Sequence, residues 1–135
     1  MAQSRTVTVA IGRTPRDVYD FVSNPANLPA WAAGLGQSVS KVDGRWIVQT
    51  SSGPIGIRFV DRNDLGVLDH RVTLGTGEEI LVPMRVVDNG TGSEVMVTVV
   101  RLPGTSAENF AEDVALVERD LRTLKRTLEG KGTDA

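Results

Sequence analysis

Cysteine is absent from the chain, which excludes disulfides and thiolate metal sites. Histidine occurs once, as His70, and the acidic residues are scattered, so no metal and no cofactor is expected. Aromatic residues make up only 4% of the sequence, so recognition by ring stacking would rest on very few side chains. No apolar run approaches the roughly 18 residues of a membrane span. The start, Met-Ala-Gln-Ser-Arg, has no apolar signal core. No membrane insertion and a cytoplasmic location are therefore expected. With 15 Lys+Arg against 17 Asp+Glu the formal net charge is −2, which speaks against a nucleic-acid partner. There is no G-x-S-x-G elbow, Walker sequence or dinucleotide fingerprint; the glycines fall in turns.

What is present is ordinary for a globular protein. The 135 residues are 40% hydrophobic and 24% charged. That suggests one domain over residues 1–135, with an ordered core of about residues 4–129. The clearest element is C-terminal. Phe110, Val114, Val117, Leu121, Leu124 and Leu128 recur at steps of four and three, which makes one apolar stripe on a helix. Thr105 reads as its cap, with Glu108 completing a capping box, and Gly130 reads as its stop. The spacing predicts a helix from about Ser106 to Glu129.

Ahead of it, Thr6 to Ile11 alternates as a strand. Thr14-Pro15 opens a short helix with Val18, Phe21 and Val22 on its apolar side. A second short helical segment follows Asn24-Pro25, anchored by Leu28 and Trp31 and ended by Gly34 and Gly36. From Gln37 to Leu102 the turn signals Asp43-Gly44, Ser52-Gly53-Pro54, Asn63-Asp64-Leu65-Gly66, Gly75-Thr76-Gly77 and Asp88 to Gly92 separate six strands. With the first strand, that makes seven.

Alternation and hairpin pairing assign the faces. Across Gly75-Gly77, His70 falls opposite Val82 and Val72 opposite Ile80. Across Asp88 to Gly92, Met84 falls near Met96 and Val82 near Thr98. One face then collects Trp46, Val48, Thr50, Ile55, Ile57, Phe59, Leu68, His70, Val72, Ile80, Val82, Met84, Met96, Thr98 and Val100. It should face the long helix. The other collects Arg45, Gln49, Arg58, Asp69, Arg71, Glu79, Arg85 and Arg101, with an apolar stripe of Leu81, Val95, Val97 and Val99.

Thr14-Pro15-x-x-Val18-x-x-Phe21 followed by Asn24-Pro25-x-Asn27-Leu28-Pro29-x-Trp31 resembles the start of the SRPBCC superfamily. That superfamily includes START-related lipid-binding domains, pollen-allergen-like proteins and bacterial polyketide cyclase/dehydrase-like proteins. Gly66-Val67-Leu68-Asp69-His70, Met84-Arg85-Val86-Val87-x-Asn89, Gly92-Ser93-Glu94-Val95 and Thr98-x-x-Arg101 resemble its small bacterial members. The resemblance implies an α+β helix-grip fold. In that fold a curved seven-stranded antiparallel sheet wraps the long C-terminal helix, two short helices stand between strands one and two, and a ligand cavity lies between sheet and helix. It implies no single activity, because the scaffold hosts carriers, cyclases and hydroxylase subunits.

His70 is the only candidate acid/base; no other catalytic residue is identified. Adjacent Asp69 points to the opposite face of the strand and cannot orient the imidazole, which argues against a Ser–His–Asp triad. Trp46, Phe59, His70, Met84, Met96 and Thr98, with Val114 and Val117 from the helix stripe, are the candidate ligand-binding residues, although the same side chains would also make a plain core. Trp31 is either an entrance gate or an anchor. Arg85 and Arg101 read as an outer charge network.

Three functions fit. The first is a binder of a small hydrophobic molecule, lipid-, polyketide- or isoprenoid-like, in an apolar cavity. The second is a cyclase/dehydrase-type enzyme with His70 as acid/base. The third is a homodimeric interaction module that uses the outer apolar stripe.

Overall fold

The computed structural model describes residues 3–32 and 38–133. Gly34 and Gly36, expected to end the second helical segment, lie outside the described residues. The first strand, β1 (Ser4–Ile11), leads to helix α1 (Pro15–Val22). Thr14 caps α1 by accepting from the Asp17 amide, and Pro15 supplies the fixed φ of the first helical position. A 3-10 turn, Pro25–Asn27, runs into α2 (Leu28–Trp31). Seven strands follow: β2 (Ser38–Val42), β3 (Arg45–Thr50), β4 (Gly53–Phe59), β5 (His70–Thr73), β6 (Glu79–Val82), β7 (Met84–Asp88) and β8 (Ser93–Val100). The long helix α3 (Ala107–Thr133) closes the chain.

The fold is α+β with a curved antiparallel sheet and a long C-terminal helix, as expected, but it has eight strands in two sheets rather than seven in one. The sheets run β1-β8-β7 and β2-β3-β4-β5-β6. The extra strand comes from Pro83, which splits the run from Glu79 to Asp88 into β6 and β7. Proline has no amide hydrogen to give to a ladder. β8 nevertheless reaches across the break, with the Thr98 amide donating to the Pro83 carbonyl at 3.0 Å.

Side chains complete the bonding at this seam. The Leu68 amide donates to the Met84 carbonyl at 2.9 Å. The Leu68 carbonyl, however, accepts from His70 Nδ1 at 3.0 Å, and the Met84 amide donates to Asp69 Oδ1 at 2.8 Å. Gly66 brings the chain into position. Its φ is +72°, and a Cβ there would lie 2.1 Å from the Val86 carbonyl oxygen, so only glycine fits.

The expected pairing of His70 with Val82 and Val72 with Ile80 is present. The expected pairing across the next turn is not. Met84 stands opposite Val97, with Asp88 opposite Ser93, one residue away from the expected register. Asn89 organises a turn one residue longer than expected: its amide donates to the Gly92 carbonyl, its Oδ1 accepts from the Thr91 amide, and its Nδ2 donates to the Ser93 carbonyl. A one-residue shift turns every side chain of β8 over. Val95 and Val97 therefore point into the core, at 0% and 5% exposure, and the outer apolar stripe that would have supported a dimer reduces to Leu81.

The stripe of α3 is buried as expected, with Phe110, Val114, Leu121, Leu124 and Leu128 in the core and Val117 half-buried against it. Two boundary expectations are corrected. The cap is Ser106, whose Oγ accepts from the Asn109 amide at 3.0 Å, while the Thr105 carbonyl accepts from Arg101. Gly130 does not stop the helix: it keeps a right-handed backbone, which glycine tolerates inside a helix at a cost of about 1 kcal/mol. α3 lies along β1, β8 and α2. Its last turns clamp the end of β1, with Gly12 amide to Glu129 Oε2 at 2.9 Å, Lys125 Nζ to the Ala10 carbonyl at 2.7 Å and Arg13 to the Leu128 carbonyl at 3.0 Å. No helix among the described residues is long and apolar enough to cross a membrane.

Candidate functional site

The inner face of the five-stranded sheet is the candidate site. Val39, Trp46, Val48, Ile55, Ile57, Phe59, Val72, Ile80 and Val82 alternate inward along β2 to β6. Val48, Ile57 and Val72 are buried, whereas Val39, Trp46, Ile55, Phe59, Ile80 and Val82 are only half-buried. The wall is therefore apolar but incompletely covered. Val117 of α3 is half-buried on the facing helix. Lys41 lies against the outer edge of this wall, its Nζ 5.6 Å from the Trp46 ring centroid.

His70 sits in the wall at 5% exposure, with its ring 4.7 Å from that of Phe59. Burial pushes its pKa below the ordinary value of 6.5, against smaller opposing effects from the Leu68 carbonyl and the Asp69 charge. The ring is therefore neutral at pH 7. Because Nδ1 donates to Leu68, the proton is on Nδ1 and Nε2 is an acceptor. Asp69 takes no part in orienting the ring. It bonds the Met84 amide and pairs with Arg85 at 2.9 Å on the other face. Burial raises the Asp69 pKa, but Arg85 and the Met84 amide more than offset this and hold it below 3.8.

The other candidates divide. Trp46 and Phe59 share the wall with His70, and Val114 and Val117 belong to the facing helix. Met84 is inward but sealed in the core at 1% exposure. Met96 and Thr98 are corrected: the shifted register of β8 puts them on the outer face, where Thr98 Oγ1 lies 2.8 Å from Thr6 Oγ1. Glu94 turns outward with them. Arg85 and Arg101 hold Asp69 and the Thr105 carbonyl respectively, as members of an outer network.

Sequence reasoning missed one feature. Trp31 anchors α2 at 5% exposure, and its indole Nε1 is a buried donor with no acceptor. Leaving such a donor unsatisfied costs about 1–3 kcal/mol. Nothing in the local pattern signals this, because an anchoring tryptophan and one with a free donor look alike in sequence.

A separate cleft of about 680 Å³ opens between α1, the loop 61–66 and β7. Its arginines are already engaged: Arg16 pairs with Asp20, and Arg62 bonds Asp20 and stacks at 5.0 Å over Tyr19, whose hydroxyl accepts from the Asn63 amide. None of the candidate residues lines it.

Compared by sequence, the chain matches no family model and no curated protein. Compared by structure, it is similar to DynU16, a protein of the dynemicin biosynthetic locus, with TM-score 0.71 and 21% identity over 93% of this chain. The chain spans 47% of the length of DynU16. It is similar to Aha1 of Colwellia psychrerythraea, solved as a dimer (TM-score 0.73, 14% identity, 94% of this chain and 96% of that one). It is also similar to Ara h 8.0201 (TM-score 0.68, 10% identity, 96% and 99%). These neighbours share SRPBCC-type folds, and at such identities the likeness is one of fold.

Proposed function

We propose that this protein binds a small hydrophobic molecule, lipid-, polyketide- or isoprenoid-like, between the inner face of the five-stranded sheet and α3. The observation that carries the reading is the half-buried wall of Trp46, Ile55, Phe59, Ile80 and Val82 beside a three-stranded sheet whose inner face is mostly buried. Completing the burial of these side chains supplies affinity through the hydrophobic effect, at about 25 cal/mol per Å². Two polar groups set the ligand's orientation: His70 Nε2 accepts from a hydroxyl, and Trp31 Nε1 donates to a carbonyl or ether oxygen. A cyclase/dehydrase-type role for His70 is less well supported. Its Nδ1 is tied to a backbone carbonyl, with no carboxylate behind it to stabilise an imidazolium.

The test is mass spectrometry of small molecules extracted from the purified native protein. A reproducible apolar compound that rebinds, and that rebinds more weakly to Phe59→Asp, is the expected result. Recovery of nothing above background, together with no binding of an apolar fluorescent probe to the native protein, would overturn the proposal.

A further inference from the structure

The outer face of the five-stranded sheet carries a row of side chains that the fold does not use. Val42 pairs with Arg45, Arg58 with Arg71, and Arg71 with Leu81. The pairing of Trp46 with Ile57 places Arg45 opposite Arg58 one step further on. Val42, Arg45, Arg58, Arg71 and Leu81 therefore form one straight row across β2 to β6, and all five are exposed, Val42 at 53% and Leu81 at 46%. Adjacent strands lie about 4.8 Å apart, so the arginines span about 10 Å.

Like charges directly opposite each other destabilise a sheet. Four arginines elsewhere are neutralised: Arg13 lies on Asp17, Arg16 and Arg62 on Asp20, and Arg85 on Asp69. Among the described residues none of the three row arginines has an ion pair. Asp43, in the turn beside the row, and Glu79, one register step away opposite Thr73, form none with them. The row beside the arginines is low, with Gly56 between Ile47 and Thr73.

We infer that this row is a docking surface for an acidic amphipathic helix of another protein. Carboxylates at positions i, i+4 and i+7 of a helix are about 5–6 Å apart, and three of them span about 10–11 Å, close to the arginine row. An extended segment places same-side carboxylates about 6.7 Å apart and overshoots the row. Apolar residues one turn beyond the carboxylates at each end meet Val42 and Leu81. Single-stranded nucleic acid fits less well, because no aromatic side chain lies in the row and the net charge is −2. The chain's own α3 exposes Glu108, Glu112, Asp113 and Leu116, but on the far side of the sheet, so copies could join only head to tail.

The test uses a helical peptide of about 18 residues with Glu at i, i+4 and i+7 and Leu at both ends, titrated into isotopically labelled full-length protein. Expected are amide shifts confined to β3, β4 and β5, binding that weakens about tenfold between about 50 and 300 mM salt, and a similar loss in Arg58→Glu. Arg58→Thr keeps or raises the melting temperature at low salt, because a like-charge contact is removed. The inference is overturned if a Gln-for-Glu peptide binds equally, if single-stranded RNA or anionic vesicles bind as tightly with the same dependence on Arg58, or if the chain self-associates through this face. A fall in melting temperature of Arg58→Thr would show that the arginines serve the fold and would overturn it as well.

Discussion

In the three-stranded sheet the inward residues Ile11, Met84, Val86, Ser93, Val95 and Val97 are 5% exposed or less and Val7 is 9% exposed, with Val9 and Val99 half-buried near its outer margin. In the five-stranded sheet, buried residues such as Val48 and Ile57 alternate in space with half-buried ones such as Trp46, Ile55 and Phe59. The two sheets have similar apolar sequences, and the difference lies in what covers them. α3 is tied to the end of β1 by Lys125, Glu129 and the Leu128 carbonyl, so its stripe covers β1 and β8, while α1 lies against β7. The comparison teaches that the closely packed core lies mainly on one side of Pro83 and the incompletely covered apolar wall mainly on the other. The seam between them is held by Asp69 and His70, one side chain on each face.

Substitutions on the two sides should therefore behave differently. Leu121→Ala is expected to cost about 2–5 kcal/mol in chemical denaturation, because a side chain 1% exposed leaves a cavity under α3. A loss below about 1 kcal/mol would break the comparison at its stronger end. Asp69→Ala removes the acceptor of the Met84 amide and the partner of Arg85, and should cost about 1–3 kcal/mol. Because the Asp69 pKa is depressed when folded, its contribution is present above about pH 3.8 and lost as the pH falls through the lower folded value. Acid titrations of the variant should be flatter in that range.

Ile55→Ala, on the half-buried wall, should cost only about 1 kcal/mol and weaken binding of any extracted ligand more than Leu121→Ala does at matched folded fraction. An equal stability loss at Ile55 and Leu121 would erase the distinction between the sheets. The smallest effect is expected at His70. Its folded pKa lies below 6.5, so the unfolded chain takes up the proton first. Stability is then full above about pH 6.5 and declines as the pH drops below it. His70→Phe should remove that slope below about pH 6.5, change stability at pH 7 by about 1 kcal/mol or less, and weaken ligand binding by about 1–3 kcal/mol if Nε2 takes a ligand hydroxyl. A slope retained in the variant would place the titrating group elsewhere.

The order of elements, the stripe of α3, the Thr14-Pro15 helix start and the pairing of β5 with β6 were all legible from the sequence, because each rests on local periodicity or on a turn whose length its residues dictate. The inward position of His70 followed from the same periodicity. The register of β8 was not legible. That strand carries apolar side chains on both faces, Val95 and Val97 on one and Met96 and Val100 on the other, so polarity could not choose between them, and the choice fell to the side-chain bonds of Asn89. The strand break at Pro83 was visible as a residue but not as a boundary, since its consequence depends on Asp69 and His70 bonding across the seam. Which apolar wall is sealed and which stays half-open was decided only in three dimensions, because burial is a property of what α3 lies against and not of the strands themselves.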